Sequence, residues 1–146
     1  MLVYINFSCY NYNVNSQTKL ELTENLEDYI VDIFEILKES PVVRIKDIAK
    51  RRGVKLPSVV VAVKSLSEKG LINYQKYEFI TLTEKGLEIA QKIENRKKIL
   101  YIFLREILKV SEQSAIRDVH KMEHDLSEET IDRIIEFTKA FKNASS

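Results

Sequence analysis

Residues 44–72 read RIKDIAKRRGVKLPSVVVAVKSLSEKGLI, and this stretch decides the fold of the chain. The apolar residues within positions 45–49 repeat at helical spacing, and Gly53 then interrupts them as the left-handed residue of a tight turn would. Pro57 suits the first turn of a second helix, where its missing N–H group leaves no hydrogen bond unmade. The apolar stripe of that second helix consists of Val59, Ala62, Val63 and Leu66. Two short helices joined around a glycine form a helix-turn-helix.

A strand-like run, NYQKYEFITL at 73–82, follows the two helices. We expect residues 71–75 to pair with residues 78–82 across a turn near Lys76 and Tyr77. A hairpin at this position makes the helix-turn-helix a winged one. Helical hairpins also occur in proteins that never contact DNA. The charge of the segment is therefore needed to decide between a DNA-binding unit and a hairpin that does not bind DNA.

The charge of this segment favours DNA. Between Val42 and Tyr77 there are nine basic residues and two acidic ones, whereas the whole chain has a net charge of only +1. A basic block inside a neutral chain is typical of a phosphate-binding surface. The predicted DNA contacts are Arg44, Lys46, Arg51, Arg52, Lys55, Pro57, Ser58, Val60, Val61, Lys64 and Lys76.

The second helix of the pair is the predicted recognition helix. Its inward stripe leaves Val60 and Val61 facing outward, where they can lie against thymine methyl groups in a major groove. The alternative, which the sequence leaves open, is that one valine packs against the wing. The outward face offers no Arg, Gln or Asn for a bidentate base contact. We therefore expect modest base-by-base specificity, with phosphate contacts and DNA shape contributing much of the affinity.

The composition limits the class of protein. At 146 residues, with 45% hydrophobic and 31% charged residues, the chain has the composition of a soluble globular protein of one or two small domains. No apolar run approaches the roughly 20 residues that a membrane helix needs. Cys9 is alone, which excludes a disulfide framework and a thiolate zinc cluster. Because the N-terminus lacks the basic flank and cleavage site of a secretory signal, we expect a cytoplasmic protein without a membrane partner.

Residues 1–22 lack helical periodicity. Apolar residues alternate there at Val3, Ile5 and Phe7. This pattern leaves a strand and a flexible arm as alternatives. Thr23 then caps a predicted helix over 24–38. We place the winged helix-turn-helix domain at 23–82.

An all-helical domain is predicted at 83–142. Thr83 caps a long helix that reaches about Lys109, and Ser111 and Ser127 cap two more. The last turns of the long helix are apolar on more than one side. A helix of this kind must be covered by a second layer or by a second subunit. The predicted fold class is therefore mainly α: a winged helix-turn-helix followed by a helical dimerisation domain.

The sequence HKMEH at 120–124 contains both histidines of the chain. On a helix, His120, Glu123 and His124 share one face. Two imidazoles and a carboxylate suit a divalent transition metal such as Mn, Fe, Zn or Co. The letters also match the H-x-x-E-H pattern of zinc proteases, with the glutamate as general base, although no protease-sized scaffold surrounds them. A solvated polar face with chance histidines is the third interpretation.

Four segments carry a resemblance to a known family: LEDYI at 26–30, IAKRRGVKLPSV at 48–59, LTEKG at 82–86 and DVHKMEHDLS at 118–127. The order of elements resembles the diphtheria toxin repressor and manganese transport regulator family of metal-dependent transcriptional repressors, over about residues 23–142. The resemblance implies a homodimer that pairs through the helices after the wing. It also implies palindromic operators upstream of metal-uptake genes. We assign the dimer interface to Leu100, Phe103, Leu104 and Ile107.

The metal site of the family is matched only in part. Asp28 stands where the family has its first-helix aspartate, but Val31 replaces a glutamate and Lys97 replaces a histidine. The remaining ligand candidates are Asp28, His120, Glu123 and His124. Four ligands suffice for one site per subunit and not for the two-metal cluster of the manganese regulators. Two imidazoles favour Zn, Fe(II) or Co over Mn on ligand softness.

We interpret this set as a single-metal switch. Asp28 lies in the DNA-binding domain and the other ligands lie in the dimerisation domain, so a shared cation would fix the spacing of the recognition helices. The predicted function is a dimeric, sequence-specific and metal-responsive repressor of metal-ion uptake genes, and not an enzyme. One alternative is a metal-independent winged-helix regulator, in which Lys97 pairs with Glu123 or Asp28 and locks the dimer. The other is a small zinc hydrolase.

Overall fold

The structure is a computed structural model that describes residues 22–75 and 79–145. The predicted strand or arm at 1–22 therefore lies outside the described residues except for Leu22, and so do Cys9, Lys76 and the turn at Lys76 and Tyr77. The elements in chain order are α1 (Glu24–Glu39), α2 (Ile45–Arg52), α3 (Leu56–Glu68), β1 (Ile72–Asn73), β2 (Thr81–Leu82), α4 (Glu84–Ile102), a π-helical turn (Phe103–Ile107), α5 (Glu112–Asp125) and α6 (Glu128–Ala144).

Hydroxyl side chains begin four of these helices. Thr23, Thr83, Ser111 and Ser127 each accept a hydrogen bond from the backbone N–H three residues further on. Each hydroxyl satisfies one of the amide groups that the first turn of a helix leaves without a partner. The predicted starts of α1, α4, α5 and α6 are confirmed.

The helix-turn-helix follows the predicted pattern. Gly53 ends α2 with φ 67°, a left-handed conformation that costs glycine little because it has no Cβ atom. Pro57 lies in the first turn of α3. The predicted inward stripe of α3 is buried: Val59, Ala62, Val63 and Leu66.

The wing is shorter than predicted. Ile72 pairs with Leu82 and Asn73 with Thr81, in antiparallel register. An isolated bridge between Val43 and Ile80 adds the segment before α2 to this small sheet. The strand β2 leads directly into α4, which begins so close to the end of α3 that a Cβ atom on Gly86 would lie 1.9 Å from the Leu71 carbonyl oxygen.

The long helix α4 belongs to two hydrophobic cores. Its first half closes the core of the winged helix-turn-helix with Ala90 and Ile93, against α1, α2, α3 and the wing. Its second half packs against α5 and α6 through Ile99 and Leu100. The helix therefore joins the N-terminal half of the molecule to a C-terminal half made by the end of α4, α5 and α6.

The end of α4 departs from the predicted helix to Lys109. Regular α-helix stops at Ile102, and a π-helical turn takes the chain to Ile107. Lys109 has a φ of 58°, which ends the helical path before α5 begins. None of the described helices combines the length and hydropathy that crossing a bilayer requires.

Two of the four residues assigned to the dimer interface are buried within a single subunit. Leu100 and Leu104 are 0% and 6% exposed in a single chain, because they pack against Ala115 and Val119 of α5. Because these turns are apolar on more than one side, the sequence did not show which side α5 would cover. Side chains that are already buried within one subunit have little surface left to offer a second one.

Candidate metal site and nucleic-acid interface

The polar residues singled out on α5 meet the first turns of α1. The apolar face of α1 is buried in the N-terminal core, and this orientation leaves Glu27 and Asp28 on its flank. His120 lies 4.0 Å from Asp28 and His124 lies 3.5 Å from Glu27, while Glu123 of the same helix lies within 4.8 Å of Glu27. The structure thus brings together all four predicted ligands, together with a fifth residue, Glu27.

His124 lies at the centre of this cluster, with its side chain 5% exposed. The Nδ1 atom lies 3.2 Å from Glu123 Oε2 and 3.5 Å from Glu27 Oε2. The Nε2 atom is 3.7 Å from Asp28 Oδ1. The other histidine, His120, stacks edge-on against the His124 ring and lies farther out, with its Nδ1 atom 4.0 Å from Asp28 Oδ1.

Two sets of potential metal ligands share His124. One set is Asp28, His120 and His124, and the other is Glu27, Glu123 and His124; in each, the ligand atoms lie within 4.8 Å of one another. The four predicted residues are therefore divided between two sets. Glu27 was not among the predicted ligands, because an acidic residue in the first turn of a helix is already explained by the helix dipole. Its position next to Asp28 was the only available signal.

Unsatisfied polar atoms support a cation at this place. Glu123 Oε2 and His124 Nε2 are both buried and have no hydrogen-bond partner among the described residues. Buried polar atoms are rarely left unpaired unless an ion, water or catalytic role accounts for them. Carboxylate oxygens and imidazole nitrogens are also the donor atoms that divalent transition metals prefer. The residues present fit a divalent metal.

Lys97 and Val31, the two departures from the family metal site, have different environments. The Nζ atom of Lys97 is 3.3 Å from Asp28 Oδ1, so Lys97 pairs with Asp28, one of the two partners considered above. The Nη2 atom of Arg52 lies 3.7 Å from the other oxygen of Asp28. Val31 packs against the N-terminal hydrophobic core and offers no ligand.

Glu27 lies at the edge of a cavity of about 230 Å³, which also contacts Arg96, Glu123 and His124. Burial raises the pKa of the Glu27 carboxyl above its usual range, and the neighbouring Glu123 carboxylate raises the pKa further. The charges of His124, Arg96 and Lys97 oppose this rise. Two carboxylates that face each other at a partly buried site favour either a proton or a cation between them.

The recognition helix presents the predicted outward face. Val60 is 41% exposed and Val61 is 70% exposed, so neither valine is buried against the wing. Other predicted contacts on or near this face are also exposed: Lys46, Lys55, Pro57, Ser58 and Lys64. Arg44 joins them from the wing side, where its guanidinium lies 4.9 Å from the centre of the exposed Phe79 ring.

Arg51 and Arg52 have a different environment from the other basic residues. Arg51 Nε donates to Asp32 Oδ1 at 3.0 Å, and Arg52 Nη1 donates to Asp32 Oδ2 at 2.6 Å. The Arg52 guanidinium also stacks on Tyr29 at 4.3 Å. Both arginines thus tie the end of α2 to α1. A guanidinium held in this way is less available to a phosphate than the free side chains of α3.

The C-terminal half exposes four large apolar side chains, those of Leu108, Ile116, Phe137 and Phe141. Phe137 is in contact with Phe141 and meets the Phe103 ring edge-on at 6.3 Å, so the aromatic part of this surface is continuous. We call these four residues the apolar face. Neighbouring exposed apolar side chains, such as those of Phe137 and Phe141, are typical of interaction surfaces.

Comparisons with known proteins cover both halves of the chain. Residues 21–80 match the family model described as iron dependent repressor, N-terminal DNA binding domain. Residues 83–145 match the model described as iron dependent repressor, metal binding and dimerisation domain.

Two relatives share more than a third of their aligned residues with this chain. The uncharacterized HTH-type transcriptional regulator MJ0568 of Methanocaldococcus jannaschii is 37% identical over 123 residues, which are 84% of this chain and 98% of the relative. The HTH-type transcriptional regulator MntR of Geobacillus kaustophilus is 38% identical over 120 residues, which are 82% of this chain and 84% of the relative.

Two solved structures of similar fold belong to longer proteins. The metal-dependent transcriptional regulator MtsR superposes with a TM-score of 0.73 at 26% identity, covering 81% of this chain and 55% of that protein. The manganese regulator SloR gives a TM-score of 0.67 at 26% identity, with the same coverage. This chain therefore spans about half the length of these structures.

Proposed function

Because this chain belongs to the iron-dependent repressor family, we propose that it is a dimeric, metal-responsive transcriptional repressor that binds DNA through its winged helix-turn-helix and controls metal-ion uptake genes. The proposal divides the chain into a DNA-binding domain at 23–82 and a metal-binding and dimerisation domain at 83–142. The observation that carries it is the contact of α1 with α5 around His124, which lies 3.5 Å from Glu27 and 3.7 Å from Asp28.

This contact couples metal to DNA through the packing of α1. The carboxylates of Glu27 and Asp28 belong to α1, whose apolar side packs in one core with α2 and the recognition helix α3. The ligands on α5 belong to the C-terminal half. A bound divalent cation supplies positive charge that attracts both sets of ligands at once. When ligands of α1 and α5 bind the same cation, they would hold α3 in one position relative to the dimer axis.

The DNA-binding surface consists of the outward side of α3 and the wing. Val60 and Val61 would lie against thymine methyl groups, while Lys55, Ser58 and Lys64 would contact phosphates. The N-terminus of α3 adds backbone N–H groups for phosphate binding. A dimer presents two such helices, so we propose a palindromic operator with half-sites separated by one helical turn or a multiple of it.

We propose one metal ion per subunit, with His124 as a ligand. The other ligands would come from the predicted residues Asp28, His120 and Glu123, or from Glu27. The candidates are Fe, Mn, Zn and Co. The alternative of a metal-independent regulator has support from one observation, the ion pair between Lys97 and Asp28. This pair joins α4 to α1 near the same place and would itself hold the two halves together.

The relatives are transcriptional regulators, and we propose that this chain has no enzymatic activity of its own. In a zinc hydrolase, the glutamate of the H-x-x-E-H motif must reach a metal-bound water and the substrate. The Glu123 side chain is 2% exposed and faces Glu27 and His124, so its environment suits a ligand better than a general base. The cytoplasm, where DNA lies, is the proposed location.

The test is DNA binding with and without metal. Duplexes selected from a random 30-base-pair pool at 1 mM Mn²⁺ serve as probes, and fluorescence anisotropy measures the affinity of the wild-type chain and of His124→Ala. We expect Mn²⁺ or Fe²⁺ to strengthen wild-type binding by about tenfold or more and to leave His124→Ala unchanged. Equal binding by both proteins with and without metal would instead establish the metal-independent regulator. No preference for duplex over a neutral polymer at low salt would refute DNA binding altogether.

A further inference from the structure

Two carboxylates lie next to each other at the α1–α5 contact. Glu27 and Glu123 both lie beside His124 Nδ1, and Glu123 Oε2 accepts no hydrogen bond from any described residue. The Glu123 side chain is 98% buried, since 2% of its surface is exposed. An ionised carboxylate that is buried without a hydrogen bond destabilises the fold unless a positive charge compensates it.

The Asp28 side of the cluster already has its compensating charges. Lys97 Nζ is 3.3 Å from Asp28 Oδ1, and Arg52 Nη2 is 3.7 Å from Asp28 Oδ2. Asp28 thus lies between an ammonium and a guanidinium. A divalent cation bound to Asp28 would have to displace Lys97 or tolerate its repulsion at short range.

The Glu27 side has weaker compensation. The Arg96 guanidinium contacts the cavity, but its Nη1 atom is 4.0 Å from Glu128 Oε1, and its Nε atom has no hydrogen-bond partner among the described residues. Negative charge is therefore least compensated between Glu27 and Glu123.

The distances also favour the Glu27 side. Two ligand atoms that are each about 2.1 Å from one cation lie about 3.0 to 3.4 Å apart, for octahedral or tetrahedral bond angles. His124 Nδ1 is 3.2 Å from Glu123 Oε2 and 3.5 Å from Glu27 Oε2. The corresponding distances on the other side are 3.7 Å and 4.0 Å from Asp28 Oδ1 to the two histidines.

We infer that the regulatory cation of this chain is held by Glu27, Glu123 and Nδ1 of His124, and that Lys97 occupies Asp28 in place of a metal. The inference rests on the proposed metal control and names its ligands. The cavity of about 230 Å³ beside Glu27 is large enough for the water molecules that complete the coordination. Two carboxylates and one imidazole form a harder donor set than the one carboxylate and two imidazoles of Asp28, His120 and His124. The harder set favours Mn²⁺ and Fe²⁺ over Zn²⁺ more than the set with His120 does.

Isothermal titration with Mn²⁺ and with Zn²⁺ separates the two ligand sets, because Glu27 and His120 each belong to only one of them. We expect Glu27→Gln and Glu123→Gln to raise the dissociation constant at least tenfold. His120→Gln, the matched control, is expected to stay within threefold of wild type. All three substitutions keep a side chain of similar size, and thermal melting monitored by circular dichroism verifies the fold.

The opposite pattern would overturn the inference. If His120→Gln weakened binding as much as Glu27→Gln does, His120 would also be a ligand and the inferred set would be wrong. If Glu27→Gln bound like wild type, the cation would lie on Asp28. In both cases the proposed metal control would remain. A wild-type chain that bound neither metal at millimolar concentration would refute the metal control as well.

Nuclear magnetic resonance gives a second measurement that needs no variant. The chain has only two histidines, so nitrogen signals of the imidazole rings are readily assigned. Binding of ¹¹³Cd²⁺ should produce a coupling to Nδ1 of His124 and leave the signals of His120 uncoupled. A coupling to His120, or to Nε2 of His124, would show that the ligand set is wrong.

Discussion

The Nζ atom of Lys97 lies 3.3 Å from Oδ1 of Asp28, which joins α4 to α1 beside the cluster of metal-ligand candidates. The pair places a fixed positive charge where a cation would otherwise complete the site with His120 and His124. Its consequence is that part of the contact between the two halves does not depend on metal. Metal control in this chain therefore acts on a contact that Lys97 already stabilises.

Replacing Lys97 by methionine should strengthen metal binding. Loss of the ammonium removes a repulsion and frees Asp28 as a ligand, so we expect Lys97→Met to lower the dissociation constant for Mn²⁺ by about tenfold. The same substitution should weaken DNA binding in the absence of metal, because the link between α4 and α1 is lost. Titration calorimetry and fluorescence anisotropy measure the two effects.

Lys98→Met is the matched control for this prediction. Lys98 is one residue further along α4 and pairs with Glu94 at 3.3 Å, away from the metal-ligand cluster. Its removal should change neither affinity by more than twofold. Unchanged metal affinity in Lys97→Met would mean that the ammonium does not compete with the cation.

A substitution at an outward valine of the recognition helix should weaken binding to a specific operator but not binding to random DNA. Val61 is 70% exposed, so Val61→Ser should leave stability within about 0.5 kcal/mol of wild type. We expect it to weaken binding to a selected operator by about fivefold to tenfold, through the loss of contact with a thymine methyl group, and to leave binding to random duplex unchanged. Anisotropy titrations with both kinds of DNA measure the difference.

Lys64→Gln provides the contrasting variant on the same helix. A lysine that contacts phosphate contributes equally to every sequence, so its loss should weaken both kinds of binding and reduce the slope of log affinity against log salt by about 1. If Val61→Ser weakened binding to random duplex as much as binding to the operator, Val61 would have no role in base recognition.

The helix-turn-helix, the caps and the outward valines were predictable because each depends on residues close together in the sequence. Gly53 and Pro57 fix the turn locally, and the hydroxyl caps act within three residues. Glu27 was not identified as a ligand candidate, because its position relative to Glu123 depends on how α1 packs against α5. No local pattern distinguishes a first-turn glutamate that stabilises the helix dipole from one that faces another carboxylate.

The surroundings of Leu100 and Leu104 could not be predicted for a related reason. Both leucines lie in turns that are apolar on more than one side, and periodicity cannot tell which side faces the neighbouring helix of the same chain. The structure assigns those two leucines to the core of the subunit. We propose that the exposed apolar face, with Leu108 just after the π-helical turn and its other residues on α5 and α6, contributes to the dimer interface.

Substitution within the apolar face should dissociate the dimer. Ile116 is 61% exposed in one chain, so Ile116→Glu should cost the isolated subunit little stability but place a charge inside the proposed interface. We expect sedimentation equilibrium to show at least a hundredfold weaker association and a parallel loss of operator affinity. Leu87→Glu is the control, since Leu87 is also an exposed apolar residue but lies near the start of α4, close to the wing. A dimer that tolerated Ile116→Glu would place the interface elsewhere.

The close approach of α4 to the end of α3 makes Gly86 a sensitive position. A Cβ atom there would lie 1.9 Å from the carbonyl oxygen of Leu71 and 2.8 Å from its carbonyl carbon, and both are backbone atoms. Because backbone cannot move aside as a flexible side chain can, Gly86→Ala should destabilise the fold by about 3 kcal/mol or more. Lys85→Ala, on the exposed side of the same turn, should change the free energy of unfolding by less than about 0.5 kcal/mol. Urea unfolding of the two variants measures both values. If Gly86→Ala lowered the free energy of unfolding no more than Lys85→Ala does, α4 would be able to shift away from the wing without loss of stability.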